Sequence, residues 1–267
     1  IGLIKTFLAI FERQPLILVM SHIQRSRVAL PPPFFQPPTN QVILDIEIPI
    51  GYGTNTALQS GPEILHPSID DPQMSHRPRF LYPLEAIAQT SIFFMNQVHG
   101  RDISIITSSS DSQVLPQADA LFTTEPGKAL AVLTADCIPL LLYADHAIAA
   151  VHVGRKGLVA KIADAVIETF ISHGITTSEI TAELGPSICA ECYEVDLEMY
   201  RDVTSAIAQT ATTEASHCLD LVAGLSAQLE NYGITPKISE RCTLEDQNLF
   251  SYRRDGVTGR QVGVVML

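Results

Sequence analysis

The sequence predicts a mixed α/β (α+β) fold: one sandwich domain with parallel and antiparallel strand pairing and flanking helices. Three observations lead there. Ala129–Thr134, Pro139–Tyr143 and Ala147–Val153 are short, wholly apolar runs of strand length with short links, so some neighbours must pair antiparallel. Helical periodicity recurs between and after the strands, as expected of interleaved layers. No glycine-rich dinucleotide or phosphate-loop fingerprint appears, which argues against a doubly wound sheet.

Taken in order, residues 1–20 are apolar but interrupted by Lys5, Glu12, Arg13 and Pro15, unlike a spanning helix. They read as a leader, followed by the linker P-P-P-F-F-Q-P-P at 31–38, whose prolines cannot continue a helix or inner strand. Residues 1–40 are therefore expected to be poorly ordered, and 41–267 to form the folded domain. Val42, Leu44, Ile46 and Ile48 alternate with Asp45 and Glu47, a half-buried strand. Residues 51–82 read as a long loop, 84–90 as a short helix, and 91–95 and 102–107 as strands. After Gly154 one helix is expected: Leu158, Ile162, Val166 and Phe170 share a face, and Gly174 closes it. A strand at 180–184, helices at 196–209 and 219–232, and a last strand at 261–267 complete the pattern.

Composition narrows the function. Hydrophobic residues make up 46% and charged residues 17%, enough for a sizeable core. A formal net charge of −12 speaks against nucleic acid as a partner, since phosphate backbones require clustered Lys and Arg. Five cysteines, an odd number with no evident secretory signal, favour a reduced cytoplasmic setting over a disulfide framework, and no membrane partner is expected.

The chemistry-bearing residues centre on 131–157. Cys137 and His152 sit at ends of apolar runs, and His99 lies upstream in N-Q-V-H-G. Two imidazoles and a thiolate suit Zn²⁺ and leave a fourth position open, as in catalytic sites. The competing reading is a small buried cysteine and satisfied histidines. Arg155 and Lys156, and Arg253 and Arg254, are cations that could grip phosphate, or solvated loop residues paired with acids. C-x-x-C at 189–192 lacks a second pair, so it is a weak zinc signal, and Glu191 and Glu194 have the wrong sign for low-pKa redox chemistry.

Six motifs in order, N-Q-V-H-G, A-D-A-L-F-T, T-A-D-C-I-P-L-L, A-A-V-H-V-G-x-x-G-L, L-G-P-S-I with C-Y-E-V, and R-C-T with F-S-Y-R-R-D-G-V-T-G-R, resemble the laccase-domain family. Its members were first called polyphenol oxidases and are now regarded as zinc-dependent purine nucleoside phosphorylases. The resemblance covers about residues 90–267, is faint over 41–89 and absent over 1–40. It implies a zinc site of His99, Cys137 and His152. It also implies phosphorolysis of adenosine, guanosine, inosine and methylthioadenosine, with adenosine deaminase activity beside it. Purine nucleosides and inorganic phosphate are then the partners. Arg253, Arg254 and Lys156 are the phosphate candidates, with Arg254 also assigned to catalysis. Asp136, beside Cys137, is assigned to orienting a ligand or moving a proton. Three departures stand out: Arg155-Lys156 occupies the place of a tryptophan and an arginine, the 51–61 loop lacks the family's arginine, and Cys189 and Glu191 replace the usual residues of the G-P-x-I loop. The rival readings are a copper-dependent polyphenol oxidase, since blue-copper centres also use two histidines and a cysteine, and a non-catalytic nucleoside-binding factor that keeps the fold.

Overall fold

The computed structural model describes residues 16–20, 42–48 and 91–267. Two sheets face each other. The first has the order β1-β2-β11-β6-β3: β1 is Leu16–Met20, β2 Val42–Ile48, β3 Ile92–Phe93, β6 Ala129–Thr134 and β11 Arg260–Met266. The second runs β10-β9-β7-β8-β5-β4: β4 is Ile103–Ile105, β5 Ala120–Thr123, β7 Ile138–Ala144, β8 Ala147–Val153, β9 Thr181–Leu184 and β10 Lys237–Ile238. Pairing is mixed as expected. β7–β8, β5–β8, β7–β9 and β11–β6 are antiparallel, whereas β3–β6, β4–β5 and β9–β10 are parallel.

The apolar runs lack strict alternation because both faces of the second sheet are covered. From β7, Leu141 and Tyr143 meet Leu130, Val132 and Val265 of the first sheet. On the opposite face, Leu140 and Leu142 pack with Leu158, Ile162, Val166 and Phe170 of the helical layer. Phe122 and Phe170 meet edge to face, with centroids 4.9 Å apart.

The helix expected after Gly154 is two helices. α1 spans Arg155–Val159 and α2 spans Ile162–Ser172. Lys161 breaks them with φ 60°, and its amide bonds back to the Leu158 carbonyl, tightening the turn. The hydrophobic period runs through the break because Leu158 and Ile162 are both fully buried. α3 (Leu197–Ala206) and α4 (Leu221–Glu230) begin at Asp196 and Asp220, whose carboxylates accept from the amides of Met199 and Ala223. α5, Tyr252–Asp255, lies where the sequence suggested only turns.

β1 falls within the stretch read as a leader and pairs in parallel with β2, Leu16 opposite Val42. The proline-rich run 31–38, the 51–82 loop and the 84–90 helix lie outside the described residues. Among the described residues no helix is long and apolar enough to cross a membrane.

Candidate metal centre and its surroundings

β7, β8 and the segment after β3 bring His99, Cys137 and His152 together. One donor atom from each lies within 4.8 Å of the others. The Cys137 Sγ to His99 Nε2 distance is 4.0 Å. A tetrahedral ion with bonds of about 2.3 Å to sulfur and about 2.0–2.1 Å to nitrogen would set that edge near 3.6 Å. The two imidazole rings stand edge to face, centroids 4.7 Å apart. Two nitrogens and a thiolate, nearly at ligand spacing, fit a borderline-soft ion such as zinc.

Asp119 fixes this arrangement. It is fully buried and binds His152 Nδ1 at 2.7 Å, which leaves Nε2 as the ligand atom. Its carboxylate also accepts from the amides of Val98, His99 and Gly100 at 3.2, 2.9 and 2.6 Å. These amides converge because His99 adopts a left-handed backbone, φ 60°, forming an anion-holding concavity. Gln97 pins the same segment to the end of β6: its side chain donates to the Leu133 carbonyl at 2.7 Å and accepts from the Leu133 amide at 2.9 Å. Asp119 was not singled out from the sequence as a site residue. Its signal was its place in A-D-A-L-F-T, but nothing local shows that its carboxylate reaches His152.

Without an ion, the electrostatics favour a thiolate on Cys137 beside a protonated His152, so a bound cation would take the place of the His152 Nε2 proton. Burial would raise the Cys137 thiol, yet the charge of His152 and hydrogen bonds with His152 and His99 bring it down to about 6. Burial would lower His152, but the Cys137 charge and the Asp119 hydrogen bond hold it above its ordinary value. Asp119 is likewise lowered: burial opposes ionisation, and His152 and the Gly100 and His99 amides outweigh it.

α1 begins against this cluster. A Cβ at Gly154 would stand 3.0 Å from His99 Cδ2 and 3.1 Å from Cys137 Sγ, so glycine allows the close approach. Arg155 is partly buried, and Lys156 is exposed.

Asp136 has φ 87°, and its carboxylate turns to the chain's end. It accepts from Thr243 Oγ1 at 2.7 Å and from the Arg253 amide at 2.7 Å. Arg254 is committed to backbone carbonyls and Asp255. Its Nη1 donates to Thr243, Leu244 and Asp246 carbonyls, Nη2 to the Leu249 carbonyl and Asp255, and Nε to Asp255. Arg253 stacks over Tyr193, 5.2 Å from the ring centroid, and donates through Nη1 to the Glu194 carbonyl at 2.6 Å. Burial raises the Tyr193 phenol. The charges of Arg155 and Arg253 oppose that rise, while the Cys137 charge adds to it. Tyr193, Arg155 and Arg253 thus form one cationic, aromatic group that feels the charge of the metal-capable cluster.

Residues 68–267 match the family described as multi-copper polyphenol oxidoreductase laccase. The chain belongs to this family. A purine nucleoside phosphorylase of Streptomyces griseus is 43% identical over 183 residues, covering 66% of this chain and 74% of the relative. One from Corynebacterium glutamicum is 41% identical over 206 residues, 74% of this chain and 83% of the relative. Among solved structures, YlmD from Geobacillus stearothermophilus superposes with TM-score 0.63 at 27% identity, covering 78% of this chain and 88% of that one. A Neisseria meningitidis protein superposes with TM-score 0.66 over 86% of this chain and 95% of its own; at 24% identity it supports the fold alone.

Proposed function

We propose that this family member is a zinc-dependent purine nucleoside phosphorylase acting in the cytoplasm on adenosine, guanosine, inosine or methylthioadenosine. One observation carries the reading: His99, Cys137 and His152 place two nitrogens and one sulfur within 4.8 Å, in a chain 43% identical to a protein named a purine nucleoside phosphorylase. Three protein donors leave a fourth position for a reacting group, the pattern of catalytic zinc. Zinc held there supplies Lewis acidity and a water of lowered pKa, which also accommodates adenosine deamination.

The chain's own groups divide the remaining work. Arg253 and Arg155 supply charge for inorganic phosphate beside Tyr193, and exposed Lys156 adds a cation on α1. Arg254, whose donors hold the 243–249 turn and Asp255, acts as a positioning residue for Arg253. Asp136 does the same through the Arg253 amide. Asp119 keeps the His152 proton on Nδ1 and the ring oriented.

The test is metal analysis of the purified chain, then a nucleoside panel with and without phosphate. Stoichiometric zinc at this centre and phosphate-dependent release of free base are expected, both lost in Cys137→Ala. Metal bound but no base released, with or without phosphate, would reject the phosphorylase. Phenol oxidation by copper-loaded protein would favour the oxidase reading instead.

A further inference from the structure

Outside this centre the fold builds a second donor cluster. Cys189 and Cys192 lie on the turn after β9, and Cys242 and Glu245 lie on the turn before α5. One atom from each of the four side chains lies within 4.8 Å of the others. The sequence offered only half of this set, because C-x-x-C at 189–192 has its counterpart C-x-x-E more than fifty residues later.

Backbone pairing makes the meeting specific. Ser187 and Cys242 form a parallel bridge, with the Thr243 amide donating to the Ser187 carbonyl at 3.0 Å. Each donor pair is closed by its own turn. The Cys192 amide bonds to the Cys189 carbonyl at 3.1 Å, and the Asp246 amide to the Cys242 carbonyl at 2.9 Å. The Cys189 amide points at Cys242 Sγ, 3.4 Å away. Amides aimed at a sulfur stabilise the negative charge it carries as a thiolate ligand. Cys192 Sγ is 3.6 Å from Glu245 Oε1. Zinc bonds of about 2.3 Å to sulfur and about 2.1 Å to oxygen at tetrahedral angles set that edge near 3.6 Å.

We infer that Cys189, Cys192, Cys242 and Glu245 bind a second zinc ion, a closed four-ligand site that clips the 185–195 turn to the 242–255 segment. Four protein donors leave no open position, so the site is structural, in contrast to the three-donor centre. Binding breaks the three S–H bonds; each sulfur keeps its electron pair for the metal and its proton passes to solvent, with no change of oxidation state. The clip lies where it matters. Thr243, next to Cys242, donates to Asp136, and Tyr193, next to Cys192, carries the stacked Arg253. A redox pair is the poorer reading: all three cysteines are free, and three thiols cannot all pair among themselves.

Metal content of the full chain, purified under reducing conditions, decides this without any assay of turnover. Two zinc ions per chain are expected in the parent and one in Cys137→Ala. Glu245→Ala, a change at an exposed position, should keep the fold and surrender one zinc at a chelator concentration that leaves the parent loaded. Cobalt added to metal-free Cys137→Ala should give the thiolate-to-cobalt absorption of a tetrahedral multi-cysteine site, lost on adding Cys192→Ser. One zinc in the parent and none in Cys137→Ala would overturn the proposal. So would a disulfide between two of the three cysteines in the zinc-loaded protein, seen as a mass deficit that added reductant abolishes. Either result leaves the phosphorylase reading standing, because that rests on the other centre.

Discussion

Asp119→Asn removes one charge and no volume, and the surroundings of this carboxylate fix the consequence. Four donors converge on it: His152 Nδ1 at 2.7 Å and the amides of His99, Gly100 and Val98 at 2.9, 2.6 and 3.2 Å. A carboxamide has one acceptor oxygen and one donor nitrogen. If its oxygen faces His152 and His99, the new NH₂ confronts the Gly100 and Val98 amides. If it flips, the NH₂ faces His152 Nδ1, driving the ring proton onto Nε2, the nitrogen needed for metal. Each buried donor left unsatisfied costs about 1–3 kcal/mol, so the first orientation lowers stability by at least about 2 kcal/mol. Losing the carboxylate partner of a ligand histidine typically weakens metal binding about 10- to 100-fold, or about 1.4–2.7 kcal/mol. Urea unfolding of the metal-free protein and zinc competition against a chromophoric chelator measure the two effects separately. Unchanged zinc affinity together with unchanged unfolding would refute the role given to Asp119.

Other substitutions probe different layers. Gly154→Ala places a methyl against His99 and Cys137, so zinc affinity should fall while far-UV circular dichroism stays native; unaltered affinity would contradict the close packing. Arg254→Ala strips the donors from the 243–249 carbonyls, and urea unfolding should show a loss of about 1.5–3 kcal/mol, the range for a charged hydrogen-bonding group. Phe170→Ala opens the helix–sheet core and should cost about 3–5 kcal/mol without displacing metal, read by unfolding and metal content together. The acid limit follows from Asp246 and Asp255. The Asn248 amide and Arg241 lower the first carboxyl, and Arg254 lowers the second. Depressed carboxyls contribute stability above the unfolded pKa of about 3.9, and it is lost as pH falls through their folded values. In the metal-free protein, amide protection over 242–255 should therefore hold down to about pH 4 and fall below it; loosening already at pH 6 would assign the segment's order to other groups.

The layers were legible in the order of the residues. Apolar runs of strand length and helical periods report local burial, so β6, β7, β8, α3 and α4 appeared within a few residues of their expected places. The sequence also named the three metal-capable side chains, because thiol and imidazole carry their chemistry with them wherever the chain puts them. Tertiary structure decided what those groups touch. Asp119 reaches His152 across 33 residues, and Asp136 holds Arg253 across 117. The helix break at Lys161 is a backbone event that the continuous hydrophobic face of Leu158 and Ile162 conceals. The same holds for C-x-x-C at 189–192: alone it was an incomplete ligand set. Only the bridge between Ser187 and Cys242 brings it a third sulfur and a carboxylate, since coordination depends on distance in space and spacing along the chain records only its local part.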